Sequence, residues 1–225
     1  LDHSLGQARG NVYLAGKCWA SYLALEQLFG QLDEVEAAAS ARAGAVRCAE
    51  SLEAAYDESL GFIPAVLENN NQSAIIPAAE ALVYPWQMGL KDAVDEEGPF
   101  GGYIRMLKRH LQNILNPEMC LYEDGGWKLS SSADNSWMSK ISISQFVVRE
   151  ILGMSYEGEE RADAAHVSWQ VKGSEFYACS DQFGAGKPIG SLYYPRIVTN
   201  ILWMDSAAMT RRPTPEENPS SYCAL

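Results

Sequence analysis

The segment at positions 130–140, SSSADNSWMSK, places an acid, an amide and an aromatic ring close together, directly before a long apolar-periodic stretch. These residues are Asp134, Asn135 and Trp137. Together they suit sugar recognition, because a flat ring covers the apolar C–H face of a sugar while carboxylates and amides hydrogen-bond its hydroxyl groups. Asp134 and Asn135 are also typical N-cap residues, so capping of the following helix is the competing interpretation.

Further residues with the same chemistry lie elsewhere in the chain. Trp127 precedes this segment, Asp181 and Gln182 follow in a later connector, and Arg196 lies in YYPRIVTN. A guanidinium can clamp a carboxylate or a sugar hydroxyl, although pairing with a neighbouring acid is equally consistent with the sequence. Asp2 adds a carboxylate near the amino terminus. Two carboxylates can cleave a glycosidic bond, at about 5–5.5 Å separation with retention or roughly 6.5–9.5 Å with inversion.

Other chemistries find less support in the sequence. GAGKPIG, at positions 184–190, resembles a phosphate-binding loop, but no Ser or Thr follows Lys187 and no predicted strand precedes it. We interpret it as a flexible lid or turn. His3, His110 and His166 are too scattered for a zinc motif, and the last two lie on predicted helices near apolar stripes, which favours packed core histidines. We therefore predict neither a metal nor a cofactor.

Composition restricts the class of protein further. The chain has 225 residues, of which 47% are hydrophobic and 20% charged, as in a single globular domain. Its net charge of −12 disfavours nucleic acid as a partner. No run approaches the roughly 20 apolar residues that span a membrane. The five cysteines are widely spaced and form no Cys-x-x-Cys pair, so we expect reduced thiols and a cytoplasmic location.

Apolar periodicity predicts helices almost throughout and few strands, so the expected fold class is all-α. The fourth and fifth predicted helices have clear buried stripes. Seven helices are expected, over about 5–29, 32–56, 74–90, 100–114, 138–152, 159–170 and 189–206. Gly30 is expected to separate the first two helices, and Pro77 to lie in the first turn of the third. Residues 207–225 form a Pro-rich polar tail.

The connectors after the second, fourth and sixth predicted helices are long and rich in polar and aromatic residues. In an antiparallel array of helices every second connector emerges at the same end. We therefore expect these three connectors and the amino terminus to share one rim. Long connectors of this kind usually carry function in a compact domain, which makes the rim the predicted site.

Four stretches resemble the carboxy-terminal part of family 52 glycoside hydrolases, the β-xylosidases. They are LDHSLGQARGNVYLAGKCWASYLALE, ENNNQSAIIPAAEALVYPW, NSWMSKISISQFVVREILG and SDQFGAGKPIGSLYYPRIVTNILW. The resemblance implies that residues 1–206 are about half of an (α/α)6 toroid. It also implies retaining hydrolysis of terminal xylose from xylo-oligosaccharides by a glutamate nucleophile and an aspartate acid/base, without metal. By the same resemblance the family's acid/base would lie about three positions before Asp2, and its nucleophile further upstream. Asp2, as the carboxylate nearest to that acid/base position, is the catalytic candidate.

Two alternatives to an enzyme stay open from the sequence. The same rim can hold a pentose without cleaving it, through Trp137, Asp181 and Arg196. The chain can also be a helical oligomerisation module without a small-molecule site. Half of a helical ring would expose core faces on the first and seventh helices, so we expect a homo-oligomer or a complementary fragment to cover them.

Overall fold

The structure, a computed structural model, describes residues 9–171 and 181–189, and this part of the chain is mainly helical. Helices of other kinds extend or connect the α-helices: 3-10 helices at Ile76–Leu82 and Lys91–Val94, and a π-helical turn at Val147–Ile151 that continues the fifth α-helix. The α-helices are α1 Val12–Gln31, α2 Val35–Ala54, α3 Val83–Gln87, α4 Gly101–Ile114, α5 Met138–Phe146 and α6 Glu159–Val171.

Helices α1 and α2 form an antiparallel hairpin. Asn11 caps α1 by accepting a hydrogen bond from Leu14 N at 3.2 Å. The chain reverses at Asp33, whose φ of 58° lies in the left-handed region. The predicted break at Gly30 was wrong, since α1 continues to Gln31. The helices approach closely at Gly44, where a Cβ atom would lie 2.7 Å from Tyr22 Cδ1.

The predicted stripes of the fourth and fifth helices are confirmed, because all of their members are buried. They are Phe100, Tyr103, Leu107, Leu111 and Ile114 on α4, and Met138, Ile141, Val148 and Leu152 on α5 and its continuation. Trp19 of α1 packs edge-on against Phe100 and Tyr103, with ring centroids 5.4 and 5.3 Å apart. One apolar core therefore joins α1, α2, α4 and α5.

The third predicted helix is built as the Ile76–Leu82 3-10 helix followed directly by α3. Pro77 lies in the first turn, as predicted, where its missing N–H is not required. All seven residues of the 3-10 segment are buried. The first residue of this 3-10 helix is bound to the connector after α4, since Ile76 N donates to Leu129 O at 3.0 Å.

A small antiparallel sheet lies at the start of α5. Its strands are β1 Asn135–Trp137, β2 Gln182–Gly184 and β3 Lys187–Pro188, in the order β1-β2-β3. The all-α prediction was therefore incomplete. Ala185 and Gly186, with φ of 47° and 74°, form the two-residue turn between β2 and β3, so GAGKPIG begins as a β-hairpin. The loop at GAGKPIG is thus an ordered turn that ends in the strand residue Pro188.

The seventh predicted helix, apart from Ile189, and the Pro-rich tail lie outside the described residues. Within residues 9–171 and 181–189, no helix is both long and apolar enough to span a bilayer. The described elements form a helical array with one small sheet. Its continuation as half of a toroid stays a prediction.

His110 and His166 are buried core histidines on α4 and α6, as predicted. The ring of His110 joins two backbone groups: Nε2 lies 2.9 Å from Ile75 O, and Nδ1 accepts from Ile63 N at 3.4 Å. This geometry fixes the neutral tautomer with the proton on Nε2. Burial lowers the pKa of His110 to about 4, and burial also lowers the pKa of His166 to about 4.

We expect the protein to lose stability as the pH falls from about 6.5 to about 4, because only the unfolded state then protonates these histidines. His110 alone should lower the free energy of unfolding by about 2–3 kcal/mol when the pH falls from about 7 to about 4.5. Urea unfolding at both pH values measures this difference for the wild type and for His110→Gln, whose amide can bond both backbone groups. The variant should lose less stability on acidification. An identical loss in both proteins would contradict the assignment.

Candidate functional site

Backbone hydrogen bonds join the three long connectors one to the next, whereas the amino-terminal residues predicted for the same rim lie outside the described residues. Leu67 N donates to Gly10 O at 2.9 Å, which joins the connector after α2 to the start of the described chain. Ser131 N donates to Ala74 O at 3.0 Å, and Ala185 N donates to Asp134 O at 3.1 Å. These bonds bring residues 65–76, 129–137 and 181–189 together around the start of α5.

One face of the small sheet carries three of the predicted site residues. Trp137 lies opposite Gln182, and Asn135 lies opposite Gly184. These four positions are partly exposed, whereas Ser136 and Phe183 on the other face are buried. We call the exposed surface of Asn135, Trp137 and Gln182 the sheet face. Opposite residues in an antiparallel pair have neighbouring side chains, so an indole ring and an amide adjoin here.

Asp181 is buried directly beside the sheet face and caps α5. Its Oδ1 accepts from Ser139 N at 2.8 Å, its Oδ2 accepts from Ser139 Oγ at 2.7 Å, and its main-chain oxygen accepts from Met138 N at 2.8 Å. Capping by Asp134 or Asn135 was therefore wrong. The N-cap position of α5 is Trp137, whose side chain makes no capping hydrogen bond. The backbone N–H groups at the start of α5 are bonded instead by Asp181, more than forty positions later in the chain.

Asp134 is exposed and forms an ion pair with Lys128, with Nζ 3.4 Å from Oδ1. Its main-chain oxygen accepts a hydrogen bond from Tyr122 Oη at 2.8 Å. The carboxylate is thus accessible at one edge of the sheet, next to Asn135. An exposed pair of this kind contributes little to stability, which leaves the carboxylate available for a ligand.

Trp127 belongs to the core behind β1. The side chain has 0% exposure, and its Nε1 donates to Tyr156 Oη at 2.7 Å. Its main-chain N donates to His166 Nε2 at 2.9 Å, and its main-chain oxygen accepts from Ser136 Oγ at 2.7 Å. Because no face of the ring is exposed, Trp127 supports β1 from behind and offers no stacking surface to a sugar.

Asp2, His3 and Arg196 lie outside the described residues, so their relation to the sheet face stays a prediction. In the described part of the chain, no group of three or more His, Cys, Asp or Glu side chains is arranged to hold a metal ion.

A buried charged cluster that the sequence did not lead us to predict contacts the first turn of α5. Glu80, only 2% exposed, forms ion pairs with Lys17 Nζ at 3.1 Å and Lys140 Nζ at 3.0 Å. Tyr13 Oη accepts from Lys140 Nζ at 2.5 Å and donates to Glu80 Oε1 at 3.1 Å. We call these four residues the Glu80 cluster. It joins α1, the 3-10 helix and α5.

Both lysines are held as cations. Burial alone would lower the pKa of Lys17, but its hydrogen bond to Tyr13 and the charge of Glu80 outweigh burial and raise the pKa. The pKa of Lys140 is likewise raised, since the Glu80 charge and the Tyr13 hydrogen bond outweigh burial. The Lys17 ammonium also lies 4.4 Å from the centroid of the Tyr13 ring.

The sequence does contain one sign of this cluster. Glu80 is an acid inside the apolar run IIPAAEALV, and a carboxylate in a buried position requires charged or hydrogen-bonding partners.

The chain matches a known enzyme along most of its length. A beta-xylosidase from Geobacillus stearothermophilus is 49% identical over 207 residues, which cover 91% of this chain and 29% of that protein. The chain is therefore homologous to part of a beta-xylosidase and spans less than a third of its length. No protein-family model matches the sequence.

Glu80→Gln should destabilise the protein by about 2–4 kcal/mol, because it leaves two partly buried ammonium groups without their counterion. Chemical denaturation at neutral pH measures the change. Glu58→Gln is the matched control, since Glu58 pairs with Arg109 at an exposed position. That variant should leave the free energy of unfolding nearly unchanged. Equal effects of the two substitutions would show that the Glu80 cluster does not stabilise the fold.

Proposed function

We propose that this chain forms the sugar-binding side of a beta-xylosidase-type glycoside hydrolase. The proposed reaction is retaining hydrolysis of terminal xylose from short xylo-oligosaccharides, without metal or cofactor. The observation that carries the proposal is the sheet face, where an indole ring and amide groups adjoin in a chain homologous to part of a beta-xylosidase. Assignment to family 52 and to half of an (α/α)6 toroid belongs to the same proposal.

The sheet face suits a pyranose ring. Trp137 would stack on the apolar face of the sugar, and Asn135 and Gln182 would exchange hydrogen bonds with its hydroxyl groups, since an amide both donates and accepts. Asp134 at the sheet edge and Arg196 would bind further hydroxyl groups. Asp181 and Trp127 act indirectly: Asp181 fixes the start of α5, and Trp127 accepts a hydrogen bond from Ser136 of β1.

Catalysis would use Asp2 as the acid/base. A retaining mechanism also needs a nucleophilic carboxylate at about 5–5.5 Å from the acid/base carboxyl group. Glu80 and Asp181 are buried and engaged in ion pairs or capping, and Asp134 is exposed to water at the sheet edge, outside an enclosed site. We therefore assign the nucleophile to none of these three acids but to the part of a beta-xylosidase that this chain does not match.

A second candidate function is a sugar-binding module that does not cleave. It is favoured by the two buried acids that contact α5, because Glu80 is held in ion pairs and Asp181 in the helix cap, so neither carboxylate is free for catalysis. Binding of xylose without hydrolysis would support this second function over the first.

A cytoplasmic location is proposed together with this function. This proposal is supported by the cysteines of the described residues. Cys18, Cys48 and Cys120 form no disulfide bonds, which agrees with reduced thiols.

Trp137→Ala should weaken xylose binding by about 5- to 30-fold, because stacking on a ring contributes on the order of 1–2 kcal/mol. Calorimetry with xylose and xylobiose measures the affinity. Trp86→Ala is the matched control, since Trp86 is also partly exposed but lies on α3 and contacts Lys91. No heat of binding with the wild type, or equal affinity of wild type and Trp137→Ala, would contradict the role of the sheet face.

Asp2→Asn should lower hydrolysis of a chromogenic β-xyloside by about 100-fold or more, as expected for loss of a general acid. The assay uses the Geobacillus beta-xylosidase with its matching 207 residues replaced by this chain, a protein that we call the chimera. Asp33→Asn, in the turn between α1 and α2, is the control and should keep full activity. An active chimera that tolerates Asp2→Asn would refute the catalytic assignment, and an inactive chimera that still binds xylose would favour the binding module.

A further inference from the structure

Helix α1 is apolar on opposite sides. Of its 20 residues, only Lys17 and Glu26 are charged. One side faces the core through residues that include Val12, Trp19 and Leu23. The opposite side carries Leu14, Ser21, Leu25 and Leu28 and continues to Leu32, with spacings of seven, four, three and four residues. At 3.6 residues per turn these positions fall on one line along the helix.

The leucines of this line are exposed. Leu14, Leu25, Leu28 and Leu32 retain 43%, 38%, 47% and 60% of their accessible surface. We call these four residues the leucine stripe. A helix with apolar residues on opposite sides is typically buried in a larger protein, because a surface helix presents charged and polar side chains to water. Leu25, Leu28 and Leu32 follow one another at spacings of three and four residues, and exposed apolar surface of this kind marks an interaction site.

A groove of about 370 Å³ borders the leucine stripe on the side of α3. Its wall on α1 includes Ala20, Ser21 and Ala24, and its opposite wall includes Tyr84 and Met88. Stripe and groove together form a ridge with a recess beside it. Interfaces that are permanently covered are more apolar than transient ones, and this surface has that composition.

We propose that the leucine stripe and the adjoining groove bind the part of the beta-xylosidase polypeptide that has no counterpart in this chain. That part makes up more than two thirds of the relative, which is enough polypeptide to cover a surface of this size. The proposal rests on the homology to a beta-xylosidase and not on the sugar chemistry of the sheet face. The α1 surface is thus an internal interface of the whole enzyme.

A second copy of this chain is the less suitable occupant. Each copy has a net charge of −12, so two copies repel each other.

Leu28→Glu tests the proposal in two proteins, this chain alone and the chimera. In the chain alone the side chain is exposed, so the thermal midpoint should change by less than about 2 °C. In the chimera the glutamate would be buried against apolar groups, and the midpoint should fall by about 5 °C or more, or the protein should not accumulate in folded form. Val167→Glu on α6, at a position 60% exposed, is the matched control and should have little effect in either protein.

Equal midpoint changes for Leu28→Glu in the chain and in the chimera would overturn the proposal. Light scattering on the chain alone should show a monomer. A dimer that Leu28→Glu dissociates would make a second copy the occupant and would also overturn it. Because both readouts are taken without sugar, failure of the wild type to bind xylose would contradict the proposed function and leave this test unaffected.

Discussion

The candidate site depends on how the backbone N–H groups at the start of α5 are satisfied. Asp181 supplies both carboxylate oxygens and its main-chain oxygen to Met138 and Ser139, so a late segment of the chain completes an earlier helix. The same contact places β2 beside β1 and brings Gln182 opposite Trp137. A buried carboxylate that accepts several hydrogen bonds is favourable next to a helix amino terminus. The sheet face is therefore held by a capping interaction rather than by its three short strands alone.

The Glu80 cluster fixes the same helix from its other side. Lys140 lies three residues after Trp137 and binds both Glu80 and Tyr13, which ties α5 to α1 and to the buried 3-10 helix. The Glu80 carboxylate thus connects the 3-10 helix to α1 and to α5, which are distant from it in the sequence. Since α5 is anchored at Ser139 and again at Lys140, Trp137 is attached to a rigid support, which is the condition for an ordered stacking surface.

Local patterns predicted the helices well and the site only in part. The stripes of α4 and α5 were legible because helical periodicity is a property of neighbouring residues. The sheet was not, since strands of two or three residues are too short to alternate and β1 pairs with residues more than forty positions later. The Asp181 cap and the Glu80 ion pairs are likewise long-range. Residue type identified Asn135, Trp137 and Gln182 as candidates, but it could not show that Trp127 is buried and Asp181 engaged.

The turn at Gly186 restricts how this sequence can diverge. A Cβ atom there would lie 2.5 Å from Nε1 of Trp169, and Trp169 is itself held by a hydrogen bond to Asp124 at 2.7 Å. The positive φ of Gly186 disfavours a side chain independently. Positions 186 and 169 should therefore covary among related chains: an alanine or asparagine in the turn requires a smaller residue on α6, and the tryptophan requires glycine.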